Sequence, residues 1–338
     1  MTNEERIQAL MRYGYTSREA AFLCLAALHG GYFLRRQYCH FLNKGVGGTA
    51  HAMIEKALAR NHAKVSTLEH NAHVYHLCRR PFYEALGQGE NRNRRERQPL
   101  TIKNRLMGFD FVLTHPESEF LATEQEKVAY FSGTLGIAIS CLPTKEYRSP
   151  RTGALTARYF VDKYPIFLSG APAVVSFCFV DEGAASLAGF ETYLNQYTGL
   201  FIALSRFELI YVAGSQALLQ PAAQVFERFV CRLRMAAGAE PTDPLLRRML
   251  DHFAARRLFE TNQLSSFDRD KLIRLRREQR EFSGSQHEAL YERWKDGGEP
   301  LVRQILGIET PVPAAICGRF STHLLEYDYG FFGSLTTF

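Results

Sequence analysis

The chain is 338 residues long, 46% hydrophobic and 22% charged, ordinary for a globular protein and long enough for two cores. No run approaches the roughly 18 apolar residues a membrane-spanning helix needs. Residues 1–98 carry 15 Lys and Arg against 8 Asp and Glu, while residues 99–338 carry 26 against 27, so the formal charge of +6 arises in the first third.

A surplus confined to one module predicts a polyanion-binding head on a nearly neutral body. Seven of the 11 histidines lie in the same third. The opening Met1-Thr-Asn-Glu-Glu-Arg6 is acidic and polar, unlike a secretory signal. The seven cysteines are odd in number and lack a Cys-x-x-Cys pair, so they read as reduced thiols. A cytoplasmic protein is the expectation.

In chain order, Ser17 to His29 opens on an N-cap residue and closes on Gly30-Gly31, which predicts a helix. A short helix fits Leu34 to Leu42, broken by Asn43-Lys-Gly-Val-Gly-Gly48. A third fits Thr49 to Arg60, with Met53, Ile54, Ala57 and Leu58 inward. Residues 63–68 and 74–78 alternate as strands do, around a hairpin tip at 69–73. Helices followed by a hairpin predict a winged helix-turn-helix over residues 1–87, and residues 10–87 resemble the winged-helix regulators of bacterial mobile elements and plasmids.

That resemblance implies that the third helix enters a major groove and that the hairpin lies over phosphate or the minor groove. The expected DNA contacts are Arg35, Arg36, Lys44, Thr49, His51, Lys56 and Arg60, with Lys64, His70, Asn71 and His73 on the wing. Glu55 on the reading face repels phosphate. A solvated basic face on a protein-docking module is the competing reading.

His70, His73, His76 and Cys78 invite a zinc reading, but alternation along a strand splits them between two faces and no metal-site spacing is met. No metal and no cofactor are expected. Gln88 to Gln98 is polar and basic and predicts a linker, whose Arg92, Arg94 and Arg95 add phosphate contacts.

Beyond the linker, residues 99–240 predict an α/β domain. Helices fit 101–106 and 116–131 around a short extended segment at 108–113. Strands then fit 137–142, 158–168 and 173–181, followed by a helix at 186–204, a strand at 207–213 and a helix at 216–235. This order is similar to the restriction-endonuclease-like core, so the fold class expected is α+β. That likeness implies a catalytic set of Asp162, Asp181 and Glu182 around Mg²⁺. Ser176 and Cys178 stand where its Glu-x-Lys belongs, so an inactive scaffold is the expectation and a Mg²⁺-dependent nuclease the alternative.

The phrases Phe179-Val-Asp-Glu-Gly183, Phe190-Glu-Thr-Tyr-Leu-Asn-Gln-Tyr197 and Phe207-Glu-Leu-Ile-Tyr-Val212 resemble the replication-relaxation group of plasmid and conjugative-element proteins. The resemblance implies a role in element maintenance, transfer or transcription, with protein partners of the element.

Residues 241–338 predict helices and an aromatic tail. The basic helix 266–282, with Arg276, Arg277 and Arg280, reads as a solvated face ahead of a second DNA contact, and Trp294 as a packing anchor. The tail 320–338 reads as a subunit interface ahead of closing the body. The functional expectation is a regulator binding double-stranded DNA as a homodimer, because one reading helix covers few base pairs. A docking module in a replication or conjugation complex is the further alternative.

Overall fold

The computed structural model describes residues 1–45, 48–148, 153, 155–170, 174–183, 186–238, 244–260, 269–307 and 315–333. It contains α-helices together with mixed sheets and divides into two compact units, residues 1–230 with 316–338 and residues 231–315.

The larger unit begins with α1 (Asn3–Met11), α2 (Ser17–His29), β1 (Tyr32–Leu34), α3 (Arg35–Phe41), α4 (Gly48–Ala59), β2 (Ala63–Thr67), β3 (His73–Leu77) and α5 (Arg80–Ala85). The first two helices start at capping boxes, Thr2 with Glu5 and Thr16 with Glu19, each stabilising its helix by about 1 kcal/mol. The three strands form a sheet in the order β1-β3-β2, all antiparallel. Phe22 is fully buried and contacts Phe33, Tyr38, Phe41 and Phe109, which centres this core.

The run 88–98, expected to be a linker, instead packs on these helices. Asn93 is 4% exposed, and its side-chain amide donates to the carbonyls of Ala27 and Leu28 at 2.9 and 3.1 Å. His76 Nε2 donates to the Asn93 carbonyl at 2.8 Å. Gly31 makes this approach possible: its φ is +81°, and a Cβ there would lie 2.6 Å from the Asn93 carbonyl oxygen.

Next comes α6 (Pro99–Leu113), which runs through the segment expected to be extended at 108–113. Its residues 106–113 are all buried. Phe109, Val112 and Leu113 enter the first core, while Leu106, Met107 and Phe111 enter the core of the main sheet. A helix covered on all sides has no polar stripe, and an unbroken apolar run reads as a strand as readily as a helix.

The main sheet has the order β10-β9-β8-β7-β4, built from β4 (Glu119–Phe120), β7 (Ile166–Ser169), β8 (Val174–Asp181), β9 (Arg206–Ala213) and β10 (Cys317–Leu324). β4, β7 and β8 pair antiparallel, whereas β8, β9 and β10 pair parallel. The expected helix at 116–131 is replaced by β4, the short α7 (Glu124–Val128) and one wide helical turn at 129–134. The expected strand at 137–142 holds a single 3₁₀ turn, and the expected strand at 158–168 is split. A separate hairpin, β5 (Thr144–Arg148) with β6 (Leu155–Tyr159), precedes β7. α8 (Ala188–Gln196), α9 (Thr198–Leu204) and α10 (Leu219–Gly238) complete this region.

The described part of the tail packs on the body. β10 lies parallel to β9, and Leu325, Tyr329 and Phe332 are buried in the sheet core.

The smaller unit contains α11 (Pro244–Glu260), α12 (Arg269–Glu281) and α13 (Ser285–Ile305), around Phe253, Phe282 and Tyr291. Trp294 packs against this core, stacked on Tyr291. Ser266, expected as the cap of α12, lies outside the described residues, while Arg276, Arg277 and Arg280 are exposed. No helix among the described residues is long and apolar enough to cross a membrane.

Candidate nucleic-acid interface

In α4, Ala50, Met53, Ile54 and Ala57 face the core; His51 and Glu55, four apart, share the exposed side, and Thr49 is exposed at the other edge of that arc. Arg60 follows the helix and is exposed, with its guanidinium 5.6 Å from the Tyr15 ring. His51 and Glu55 approach at 4.0 Å, an exposed pair that contributes little.

β2 has only its first residue buried, leaving Lys64, Val65, Ser66 and Thr67 exposed. His70 and Asn71 both take left-handed backbone, at φ 55°, and form the tip between β2 and β3. With His73 they are exposed. The structure thus leaves Lys44, Thr49, His51, Arg60, Lys64, His70, Asn71, His73 and Arg35 at the surface.

Other expected contacts are engaged elsewhere. Arg36 makes a two-pronged ion pair with Asp110 on α6, both bonds 2.7 Å, and Asp110 is 2% exposed. Tyr329 also donates to the Asp110 carboxylate, and Tyr327 lies 3.8 Å from the Arg36 guanidinium. Arg36 is therefore a clamp between α3, α6 and the tail, not a surface contact. Lys56 is half-buried and donates to Glu19 at 2.6 Å. Burial alone would raise the Glu19 pKa, but the bonds from Lys56 and Thr16 outweigh it and hold the carboxyl below its usual range.

The arginines of 88–98 also diverge from expectation. Arg92 stacks over Tyr147 at 4.7 Å, and Arg94 Nε is buried, while Arg95 is exposed.

The histidine group does not assemble. His76 stacks on Tyr32 with ring centroids 4.1 Å apart, while His70 and His73 face solvent. Among the described residues, no group of three or more His, Cys, Asp or Glu is placed to hold a metal ion.

The nuclease set is likewise dispersed in role. Asp162 lies in the turn after β6, and burial raises its carboxyl above the usual range. Asp181, at the end of β8, accepts from Tyr211 Oη and the Gly183 amide, both at 2.9 Å. Glu182 accepts from Asn104 at 3.1 Å. At the Glu-x-Lys positions, Ser176 donates to Glu208 at 3.1 Å, and Cys178 is fully buried with its thiol pushed up by burial.

A basic cleft of about 450 Å³ within the larger unit escaped the sequence reading. Arg105 of α6 and Lys163 of the β6–β7 turn line it, and Lys127 of α7 is buried nearby with its ammonium 3.1 Å from the Tyr164 carbonyl. Burial lowers the pKa of Arg105 to about 10, of Lys163 to about 8 and of Lys127 to about 7. These residues come from elements far apart in sequence, so no spacing signals them.

No protein-family model, curated protein or solved structure matches the chain.

Proposed function

We propose that residues 10–87 are a winged helix and that the protein binds double-stranded DNA through α4 and the β2–β3 hairpin. The observation that carries this reading is the exposed polar face of α4 beside an exposed hairpin carrying Lys64, His70, Asn71 and His73, in a module of net positive charge. The order helix, strand, helix, helix, strand, strand, with sheet order β1-β3-β2, supports it. In such an arrangement Thr49 and His51 face base edges, and Arg60 and Lys64 flank them on phosphate.

Because α4 spans few base pairs, sequence-specific reading calls for two copies, so a homodimer is part of the proposal. A regulatory or maintenance role in a bacterial mobile element rests on the sequence phrases alone. The separate engagements of Asp181 and Glu182 favour binding without cleavage.

Selection of duplexes from a random pool in EDTA tests the proposal. An enriched, two-fold related motif bound by the intact chain supports it. No enrichment and no retained DNA sink it, and the module is then to be tested against proteins. Duplex that is cut on adding Mg²⁺, with loss of cutting in Asp181→Ala, would instead favour the nuclease.

A further inference from the structure

The basic cleft lies apart from α4 and the β2–β3 hairpin, although Arg92, expected from the sequence as a phosphate contact, lines it. Its walls include Arg80, Arg92, Arg97, Arg105, Arg158 and Lys163, against two carboxylates, Glu90 and Glu124. Arg80 is paired with Glu90 at 2.9 Å, and Arg158 meets Glu124 at 3.4 Å. Among the described residues, no carboxylate lies within ion-pair distance of Arg92, Arg97, Arg105 or Lys163.

What these four do contact is weakly neutralising. Arg105 donates to the Asp162 carbonyl at 3.2 Å, Arg97 to the Arg92 carbonyl at 3.3 Å, and Arg92 lies over the Tyr147 ring. Lys163 sits at φ +64° and Phe160 at +50°, left-handed backbone that side chains other than glycine rarely adopt. The turn is thus held in an uncommon conformation while it delivers a cation to the cleft. Six cations facing fewer carboxylates repel one another and resist desolvation, so an arrangement of this kind is stabilised by an anion that completes it.

We propose that this cleft binds a phosphate-bearing small molecule of nucleotide size. The volume lies in the range of small-ligand sites, and several guanidiniums around one space suit the oxygens of two or more phosphates. Tyr147 and Tyr159, also on the walls, offer aromatic surface for a ring. The proposal stands apart from the DNA reading, since no α4 or hairpin residue lines the cleft. Segment 80–97 and the β5–β6 hairpin both contribute to the walls, so a bound ligand bridges the first module and the body.

Isothermal titration of the full chain with ADP and with pyrophosphate tests it, with citrate as a non-phosphate anion of comparable charge. Saturable binding of ADP or pyrophosphate, weakened at least tenfold in Lys163→Met and in Arg92→Gln, is the expected result. Lys163→Met removes a cation from the wall, and Arg92→Gln keeps the proposal testable should that variant misfold. Absence of binding overturns the proposal, as does affinity unchanged in both variants or citrate binding as tightly as pyrophosphate. Displacement of ADP by a 20-base-pair duplex that persists in Arg60→Ala, Lys64→Ala also overturns it by assigning the cleft to the DNA backbone.

Discussion

The surface of α4 with its hairpin and the cleft lined by Arg105 and Lys163 both gather positive charge, but under opposite conditions of solvation. Arg60 and Lys64 are exposed. Keeping them charged costs little, and their attraction for a polyanion is modulated by salt. Arg105 and Lys163 have pKa values lowered by burial, so holding them charged opposes folding. Arg36 is a third case, a half-buried cation matched by a buried carboxylate. Net charge alone groups these residues together; their surroundings separate them into an exposed surface, a partly desolvated cleft and a structural clamp.

The sharpest break between these classes is in stability. Asp110→Ala leaves Arg36 without its partner in a largely buried position and removes the acceptor of Tyr329. We expect a loss of roughly 3–5 kcal/mol in urea denaturation. The double variant Arg60→Ala, Lys64→Ala should change stability by less than about 1 kcal/mol. Similar losses in the two would erase the distinction between clamp and surface.

The pH profile comes next in size. Lys127 titrates near 7 in the folded chain but near its ordinary 10.5 when unfolded. The unfolded state therefore binds the extra proton between those values, and stability rises as pH climbs through that window. From pH 7 to 9 the gain is on the order of 2–3 kcal/mol. Denaturation midpoints of the native chain and Lys127→Met across this range check it: the variant should lose the share of the slope that Lys127 contributes and keep the smaller rise from Lys163, and an unchanged slope would refute the assignment.

Smaller effects concern binding. Arg60→Ala with Lys64→Ala should weaken duplex DNA binding about tenfold in anisotropy, roughly 1.4 kcal/mol, with the thermal midpoint unchanged. Glu55 is exposed on the outer face of α4. Its replacement by Gln should raise affinity a few-fold by removing a charge that repels phosphate. A fall on Glu55→Gln would mean that this face does not meet DNA.

Much of the first module was legible because the buried positions of its helices recur at helical spacing and a polar tip separates its two strands. Helix 17–29 has its glycine stop, although its cap is Thr16 and not the expected Ser17. Residues 63–67 and 73–77 pair around the polar tip, but β2 is almost wholly exposed and β3 almost wholly buried, so the alternation of residue types is not matched in burial. The strand at 32–34 was missed because three residues, all buried, carry no period. Residues 108–113 misled for the physical reason given by their burial on every side. β10 reads Cys-Gly-Arg-Phe-Ser-Thr-His-Leu, a polar strand whose place depends on pairing with β9, more than a hundred residues earlier. Of the candidate site, the exposed contacts on α4 and the hairpin followed from period alone. The engagement of Arg36 by Asp110 and of Lys56 by Glu19 did not, since each partner comes from a distant helix.

The most direct test of the DNA-binding account is the salt dependence of duplex affinity, measured by anisotropy with the full chain and with Arg60→Ala, Lys64→Ala. The account predicts that log affinity falls linearly with log salt, with a slope shallower in the variant by about 2, near 0.9 for each phosphate contact removed. A slope that is the same in both proteins, or affinity that ignores salt, would contradict it.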